Sequence, residues 1–377
     1  MAKKEKVDEI LTEKKDVGTL ISGLAESLSE LSKKSNESDT YIFETSLTPT
    51  DVTGWVSSGS DLLDLKISNQ KNGGFPLGKI VELQGLNSSG KSLIGSHALA
   101  SVQKMGGIAV YIDTEAAVNR NFLEVIGVNL ETLIYVSCDT IESVFEIIEQ
   151  IVIKIRNDDK DIPVVILIDS VSAPQSRAEA EADFGIDGYA TQKARIMSKA
   201  MRKLVILLAR QKILTIFTSQ LRMVLNPGYG DRYCTSGGLA LSFYASVVVR
   251  MASSTKIKLT GSDEIIGVNI KAKIIKNRLA PPFKIAEIQL YYNSGINNVQ
   301  GWLEIIKDLG LITGRSIIYG EEKITFTKST FSKIVEARPG LREYLYDKIC
   351  ETIIKKYVKA NDLEIENIEI TKEEVEQ

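Results

Sequence analysis

The sequence predicts an α/β protein whose main domain is a largely parallel central sheet flanked by helices. Between residues 44 and 297, apolar runs of strand length alternate with helical patterns, and this alternation is typical of such a sheet. One run, residues 80–84, leads directly into a glycine-containing loop and a helical stretch over residues 93–104. Of the 377 residues, 44% are hydrophobic and 25% are charged, as in ordinary globular proteins.

Charged segments begin and end the chain. Residues 1–43 have a helical pattern with an apolar stripe that is too short to bury a core of its own, and a linker follows from residue 35 to residue 40. Residues 361–377 hold seven acids against one base, so we expect a mobile acidic tail. The sequence therefore predicts one main domain between two peripheral segments.

A second, smaller domain is predicted before the acidic tail. Helical periodicity covers residues 302–311 and returns over residues 331–357. Between them, residues 317–326 have the pattern of a β-hairpin. We therefore expect a small α/β domain over residues 298–360.

Several classes of protein and site are not expected. No apolar run approaches the roughly 20 residues that cross a bilayer, and the first residues lack the apolar stretch of a secretory signal. We therefore expect a cytoplasmic protein with no membrane partner. Cys138, Cys234 and Cys350 lie far apart and form no zinc-binding pair, so reduced thiols are expected. His97, the only histidine, has no Cys or His partner nearby and is expected to be structural.

The glycine-containing loop has the residues of a phosphate-binding P-loop in its usual place between a strand and a helix. Backbone N–H groups of such a loop converge on phosphate oxygens, the lysine reaches the terminal phosphates, and the following hydroxyl can ligate Mg²⁺. A glycine turn without a ligand is the alternative. The expected nucleotide-binding residues are Gly85, Asn87, Ser88, Ser89, Gly90, Lys91 and Ser92.

Polar residues follow three further apolar runs, where ligands bind in open α/β sheets. Asp169 ends the run at 164–168 and is a candidate to hold Mg²⁺, although an acid there can also cap a helix. Glu115 follows a second strand and is the candidate to deprotonate the attacking water, the alternative being a solvated loop acid. Gln220 follows a third strand and is a candidate contact for a γ-phosphate.

The formal net charge of −3 hides an uneven distribution. Residues 185–250 contain ten basic residues and two acids, which favours a polyanionic partner. On the helix predicted near residues 190–211, Arg195, Lys199 and Arg202 project away from the buried stripe. A solvated helix face is the alternative for these three side chains.

Two glycine-containing segments flank that helix, at residues 184–191 and 221–238. Both are expected to be mobile loops. The second loop follows Gln220 directly, so its order can change with the state of the nucleotide. It mixes cations suited to phosphates with apolar side chains suited to bases, namely Arg222, Met223, Leu225, Tyr229 and Arg232.

The sequence resembles the RecA family of recombinases through short segments that occur in the family's order and spacing. The matching segments are residues 85–92, 111–115, 167–171, 201–204, 219–223, 237–238, 243–246, 276–278 and 282–284. The series extends from about residue 56 to residue 310. The resemblance implies a RecA-like P-loop ATPase core with ATP and Mg²⁺ as cofactors.

The resemblance also implies an activity and its partners. The protein would form a helical homo-oligomeric filament on single-stranded DNA, pair it with homologous duplex DNA and hydrolyse ATP in a DNA-stimulated manner. Association with the nucleoid, with loader proteins and with single-strand-binding proteins is implied in the same way, as is a place in homologous recombination, DNA repair and the SOS response. The N-terminal helical segment resembles one that docks on an adjacent protomer, and the acidic tail resembles one that restrains access to DNA.

Roles for single residues follow from the resemblance. It implies that Glu115 is the catalytic base, that Asp169 is the metal-associated acid, and that Gln220 links ATP to the second DNA loop. Phe122 and Tyr292 match aromatic residues beside adenine; Lys276 and Arg278 match cations that reach the ATP of the neighbouring subunit; Phe243 matches an intersubunit contact. The candidate DNA-binding residues are Arg195, Ser198, Arg202, Arg222, Met223 and Leu225, together with Tyr229, Gly237 and Gly238 of the second loop.

The sequence departs from the usual pattern of the family at a few positions. Ser92 replaces a threonine and keeps the hydroxyl, whereas Arg278 replaces a lysine and keeps the charge with a different donor geometry. Asn119 stands where an aspartate often contacts adenine, so a strict preference for ATP is not implied. In the second loop, residues 232–234 replace the Pro-Glu-Thr of familiar bacterial members.

Two other functions use the same residues. A hexameric helicase or motor with a RecA core is one alternative, because residues 276–278 also resemble a helicase motif; the chain lacks the four cysteines of the zinc module expected there. A non-enzymatic DNA-coating regulator with ATP-controlled assembly is the other, and the intact Lys91, Glu115 and Asp169 argue against it.

Overall fold

The computed structural model of the protein describes residues 17–35, 48–159, 161–182, 189–223, 233–235, 239–259 and 261–355. The chain divides into two compact units, residues 1–51 and residues 52–377. In the first unit, the helix α1 spans Val17–Ser35, and its described apolar side chains Ile21, Leu24 and Leu28 are exposed. The predicted amphipathic helix is therefore present, whereas the predicted tail at 361–377 lies outside the described residues.

The second unit is built on a large sheet. In the described part of the chain this sheet has ten strands, in the spatial order β12-β11-β10-β9-β3-β7-β6-β4-β5, with β8 paired to β7. Its strands are β3 (Ile80–Gly85), β4 (Ile108–Asp113), β5 (Leu133–Ser137), β6 (Val164–Asp169), β7 (Ile213–Met223), β8 (Tyr233–Thr235), β9 (Val247–Lys258), β10 (Ile265–Asn277), β11 (Ile285–Tyr291) and β12 (Gly295–Ile296). Outside it, β1 (Trp55–Val56) and β2 (Phe75–Pro76) form a separate pair.

The sheet is parallel at its centre. The strands β9, β3, β7, β6, β4 and β5 run parallel to their neighbours, whereas β10, β11 and β12 extend the β9 side in antiparallel fashion. The predicted largely parallel sheet is confirmed. The parallel order also brings the carboxyl ends of β3, β4, β6 and β7 to one edge.

Helices cover both faces of the sheet because strand side chains alternate between the two. The helices of this unit are α2 (Asp61–Ser68), α3 (Lys91–Lys104), α4 (Arg120–Val125), α5 (Ile141–Asp158), α6 (Arg177–Ala180), α7 (Tyr189–Arg210), α8 (Ala240–Tyr244), α9 (Asn298–Asp308), α10 (Phe331–Glu336) and α11 (Pro339–Ile353). Val81 and Leu83 pack in one core with side chains of α2 and α3. Ile80 lies in the other core, with side chains of α5, α7 and α8.

The C-terminal part contains the predicted hairpin. Strands β13 (Ile312–Thr313), β14 (Ser316–Tyr319) and β15 (Glu322–Thr325) form a small antiparallel sheet beside α9, α10 and α11. Its buried side chains, among them the fully buried Trp302, belong to the same continuous core as α2 and α3. The domain boundary at residue 297 stays a prediction, since residues 52–377 form one compact unit.

One predicted helix is wrong in its extent. The pattern at residues 331–357 predicts a single helix, but α10 ends at Glu336 and α11 begins at Pro339 and ends at Ile353. Proline has no N–H to donate within a helix, and its fixed φ suits the first helical turn. Pro339 therefore starts a new helix instead of continuing the one before it.

Candidate active site

The loop at residues 86–90 joins β3 to α3 and is held in a tight curve. A Cβ on Gly85 would lie 2.2 Å from the Ser89 Oγ and 2.7 Å from the Met251 carbonyl oxygen. Gly90 has a φ of +91°, and a Cβ there would lie 2.6 Å from a methyl group of Ile270. Glycine is required at both positions, since any side chain would push the loop away from β9 and β10.

Unpartnered donors line the inside of this curve. The Ser89 hydroxyl is buried and has no hydrogen-bond partner among the described residues. No side chain caps the first turn of α3, which leaves its backbone N–H groups for a ligand. Such a cradle fits the phosphates of ATP.

Lys91 points back into the loop. Its Nζ donates to the carbonyl oxygens of Gly85 (3.1 Å) and Leu86 (2.9 Å). Burial lowers the pKa of Lys91, and the charges of Asp169 and Glu115 act in the opposite direction. The ammonium group is therefore held close to two acids at the predicted phosphate site.

Asp169 ends β6 and is fixed by two hydroxyl donors. Its Oδ2 accepts from Tyr111 (2.7 Å), and its Oδ1 accepts from Thr218 (2.5 Å). The next helix begins at Arg177 and is capped by Ser176, so Asp169 caps no helix. The alternative considered from the sequence is therefore wrong, and the carboxylate is available beside the loop.

Asp169 and the exposed Ser92 hydroxyl supply oxygen ligands of the kind that Mg²⁺ prefers. Within the described residues, no group of three or more His, Cys, Asp or Glu side chains is placed to hold a metal by itself. Mg²⁺ usually keeps water and phosphate oxygens among its ligands. The residues present therefore fit a magnesium ion that is bound together with the nucleotide.

Glu115 is exposed but is not a freely solvated acid. Its Oε1 accepts from the Ser170 hydroxyl (2.6 Å) and from the Gln220 Nε2 (3.2 Å). The preceding turn is fixed because Asp113 Oδ1 accepts from the N–H groups of Glu115 and Ala116, both at 2.9 Å. Three neighbouring strands, β4, β6 and β7, thus bring Glu115, Ser170 and Gln220 together.

Ser170 and Tyr111 were missed as site residues by sequence reasoning. Both lie in segments that resemble the family, and Ser170 directly follows Asp169 at the end of β6. The strand-end position of Ser170 was therefore an available signal. Its bond to Glu115, 55 positions earlier, could not be read from a local pattern.

The residues expected beside adenine lie on two separate elements. Phe122 is in the first turn of α4, where its N–H donates to the Asn119 side chain (3.2 Å). Tyr292 follows β11, is 52% exposed, and donates its N–H to the Ile266 carbonyl. Asn119 therefore serves as a helix cap in this structure.

Lys276 and Arg278 converge on the short helix α8. The Lys276 Nζ donates to the carbonyl oxygens of Ser242 (2.8 Å) and Phe243 (2.7 Å), and Arg278 Nη2 donates to that of Phe243 (3.1 Å). The Phe243 ring itself is 66% exposed. The structure thus gathers both expected trans cations and the expected intersubunit residue into one surface.

The expected DNA-binding residues are described only in part. Arg195 and Arg202 are exposed on α7, and the Ser198 hydroxyl donates to the Ala194 carbonyl (2.9 Å). Arg222 and Met223 are exposed at the end of β7. The remaining candidates lie outside the described residues: Leu225, Tyr229, Gly237 and Gly238.

An open groove of about 620 Å³ runs between α7 and α8, lined by Ser198, Arg202 and Phe243 among others. It places two predicted DNA-binding residues next to the predicted intersubunit residue.

The three cysteines are free. No helix in the described ranges is long and apolar enough to cross a membrane.

Comparison with known proteins gives a consistent result. A family model described as the RecA N-terminal domain matches residues 24–297. The chain is 34% identical over 328 residues to Protein RecA of Trichormus variabilis, which covers 85% of this chain and 88% of that protein. It is 36% identical over 325 residues to Protein RecA of Streptococcus uberis (85% and 81%), and 37% identical over 298 residues to that of Streptococcus pyogenes serotype M49 (78% and 76%).

Proposed function

The chain belongs to the RecA family, and on that premise we propose that it forms a helical filament on single-stranded DNA and pairs that strand with homologous duplex. It is an ATP-dependent DNA recombinase of recombination and repair. The helicase and regulator alternatives are not favoured, since the matches to RecA proteins span 85% of the chain. The observation that carries the proposal is the meeting of Glu115, Ser170 and Gln220 beside the P-loop.

The P-loop side of the site binds and orients the nucleotide. The backbone N–H groups of residues 86–90 and the first turn of α3 would hold phosphate oxygens, and Lys91 would hold the terminal phosphates. Ser92 and Asp169 would hold Mg²⁺, which when bound supplies positive charge that stabilises the transferred phosphoryl group. Tyr111 and Thr218 hold the Asp169 carboxylate in one orientation.

Glu115 serves as the general base. A carboxylate with one oxygen engaged by Ser170 and Gln220 keeps its other oxygen, Oε2, to accept the proton of the attacking water. The same contact gives a link to DNA, because Gln220 begins the second DNA loop. A change at the γ-phosphate that moves Glu115 therefore also moves the base of that loop.

A neighbouring subunit would complete the site. Lys276 and Arg278 lie at the exposed Phe243 surface, where their charges are available to a second protomer. Arg195, Ser198 and Arg202 on α7, with Arg222 and Met223 on β7, supply cations and an apolar side chain for single-stranded DNA. With these assignments, ATP would be hydrolysed at the interface between two protomers. The single-stranded DNA would lie along the filament axis.

The test is ATP hydrolysis by the purified full-length protein with and without single-stranded DNA, together with Glu115→Gln. Single-stranded DNA should strongly stimulate the wild-type protein, and Glu115→Gln should lower turnover by about 10²- to 10⁴-fold while filaments still form with ATP and Mg²⁺. The matched control is Glu124→Gln, an exposed acid on α4. Equal turnover with and without DNA would contradict the recombinase mechanism, and unchanged turnover in Glu115→Gln would remove this residue from catalysis.

A further inference from the structure

A fully buried carboxylate lies in the middle of β3, between the two sites described above. The Glu82 side chain is 0% exposed. Its Oε1 accepts from the Ser219 hydroxyl and its Oε2 accepts from the Ser242 hydroxyl, both at 2.6 Å. Because a buried charge is costly unless its hydrogen bonds are made, these two donors hold the group in place.

The two serines belong to different functional elements. Ser219 lies on β7 directly before Gln220, whose side chain contacts the proposed base Glu115. Ser242 lies on α8, and its own carbonyl oxygen accepts from Lys276. The Glu82 carboxylate is therefore hydrogen-bonded both to the strand that carries Gln220 and to the helix that carries Phe243.

The direction of these hydrogen bonds is fixed. Gln84 Nε2 donates to the Ser242 hydroxyl oxygen at 3.0 Å, so the single proton of that hydroxyl goes to Glu82. Gln84 lies two residues after Glu82 and therefore on the same face of β3. Gln84 Oε1 is buried and has no hydrogen-bond partner among the described residues, so the network is held by the donors of Gln84, Ser219 and Ser242. Packed interiors of this kind respond to displacement in discrete steps instead of deforming gradually.

The electrostatics of Glu82 show that burying its carboxylate costs free energy. Burial raises the pKa of Glu82, while the hydrogen bonds from Ser219, Ser242 and Gln84 and the charge of Lys276 lower it. Lys276 is thus the cation that faces this carboxylate, acting across Ser242. A purely stabilising role would be served as well by an apolar side chain at this position.

We propose that Glu82 is a positioning residue that couples Gln220 to the placement of Phe243, Lys276 and Arg278 on the surface facing the next protomer. The inference rests on the proposed function, since it assumes that these cations act on a neighbour's ATP. A displacement of β7 at Ser219 is passed through the two carboxylate oxygens to α8. The consequence is cooperative ATP use along the filament.

The experiment compares Glu82→Gln, Ser219→Ala and Ser242→Ala with the wild type in ATP titrations with and without single-stranded DNA. Glutamine has one acceptor oxygen in place of two, so at most one of the two serine hydroxyls can still donate a hydrogen bond to residue 82. In each variant, the ratio of turnover with DNA to turnover without DNA should fall by about fivefold, which corresponds to the loss of one hydrogen bond. The Hill coefficient for ATP should fall to about 1. Turnover without DNA should stay within about twofold of the wild type, because each protomer's own P-loop and Glu115 are untouched.

Combining variants tests whether Glu82 is the connection. Adding Ser219→Ala or Ser242→Ala to Glu82→Gln should cause no further loss, since residues in one network are not additive. The matched control is Ser68→Ala, which removes a buried hydroxyl that donates to the Asp64 carbonyl, far along the chain from both serines. It should keep both DNA stimulation and cooperativity.

The outcomes separate the two proposals. A wild-type protein without DNA stimulation would overturn the proposed function. A stimulated and cooperative wild type, with variants that keep its Hill coefficient, would overturn the role of Glu82 alone. Thermal denaturation checks that Glu82→Gln is folded. If it is not, the test depends on Ser219→Ala and Ser242→Ala, and cooperative ATP use retained in both would overturn the inference.

Discussion

The Ser170 hydroxyl donates the shorter of the two hydrogen bonds that limit where the Glu115 carboxylate can point. Glu115 is exposed, and an exposed glutamate ordinarily samples many rotamers. The Ser170 hydroxyl, itself 1% exposed, donates to Oε1 at 2.6 Å from a buried strand end. A group that accepts a proton in the transition state works best when its position is fixed beforehand.

Ser170→Ala should therefore slow hydrolysis without weakening ATP binding. Loss of one hydrogen bond to a charged group corresponds to about a tenfold fall in DNA-stimulated kcat, with an unchanged KM for ATP. Steady-state ATPase kinetics measure both constants. Ser101→Ala is the control, since that hydroxyl donates to the His97 carbonyl on the far part of α3. A raised KM with a normal kcat would mean that Ser170 binds nucleotide instead of orienting the base.

Sequence reasoning found the acids of this site but not the groups that hold them. Asp169, Glu115 and Gln220 each follow an apolar strand, and parallel strands bring their carboxyl ends to one edge, so their proximity could be predicted. Tyr111 points from inside β4 to Asp169 across 58 positions of sequence. No local pattern encodes which of many tyrosines and serines will meet a given carboxylate, because register and side-chain direction decide it.

At the scale of the helix, α7 shows that neighbouring cations are not equivalent. Met197, Met201, Leu204 and Leu208 are fully buried against the sheet, which leaves Arg202 and Lys203 on the outer side. Lys203 forms an ion pair with Glu149 of α5 at 2.6 Å. Within the described residues no ion pair engages Arg202, which lines the groove next to Phe243.

Arg202→Ala should weaken binding of single-stranded DNA and reduce its salt dependence. Removing one phosphate contact makes the slope of log affinity against log salt shallower by about 0.7 for single strands. Fluorescence anisotropy with a labelled oligonucleotide over a salt series measures the slope. Lys203→Ala is the matched control and should leave the slope unchanged, since its charge is already paired. Equal effects of both substitutions would contradict a specific place for Arg202 in the DNA path.

The elements that were predicted less well share a physical cause. Helical periodicity continues through residues 331–357, yet Pro339 divides the stretch into α10 and α11. Periodicity reports which face is buried, whereas the backbone donor missing from proline decides where hydrogen bonding stops. The antiparallel extension of β9 by β10 and β11 was likewise not predicted, because apolar alternation does not state the direction of a strand.

At the scale of the whole molecule, two acids of α2, the partly buried Asp61 and the buried Asp64, lie where the start of the core meets its C-terminal part. Asp64 of α2 accepts from the Ser57 hydroxyl (2.5 Å) and the Ser58 N–H (2.8 Å). Asp61 of the same helix lies 3.8 Å from Arg342 of α11. Burial raises the pKa of Asp64 to about 7, helped by the Asp61 charge, and raises that of Asp61 to about 6 against the effect of Arg342.

These shifts set the direction in which stability changes with pH. Both acids bind protons more tightly in the folded chain than in the unfolded chain, so the protonated forms favour folding. Their contribution is complete below the unfolded pKa of 3.8 and is lost as the pH rises through about 6 and 7. His97 acts in the opposite direction, since burial lowers its pKa to about 4 and the neutral imidazole favours folding. Its effect on stability therefore increases as the pH rises from about 4 to about 6.5. Above the ordinary histidine pKa of about 6.5, His97 no longer changes stability with pH, so there only the acids set the slope.

Asp64→Asn should therefore flatten the pH dependence of unfolding. From its pKa of about 7, Asp64 alone lowers the free energy of unfolding by about 2 kcal/mol between about pH 5.5 and about pH 7.5. Urea denaturation across this range, followed by circular dichroism, measures the slope in the wild type and the variant. Asp308→Asn, an exposed acid at the end of α9, is the control and should keep the wild-type slope. A variant with the full wild-type slope would show that Asp64 is ionised in the folded protein across this range, and that its hydrogen bonds outweigh the cost of burial.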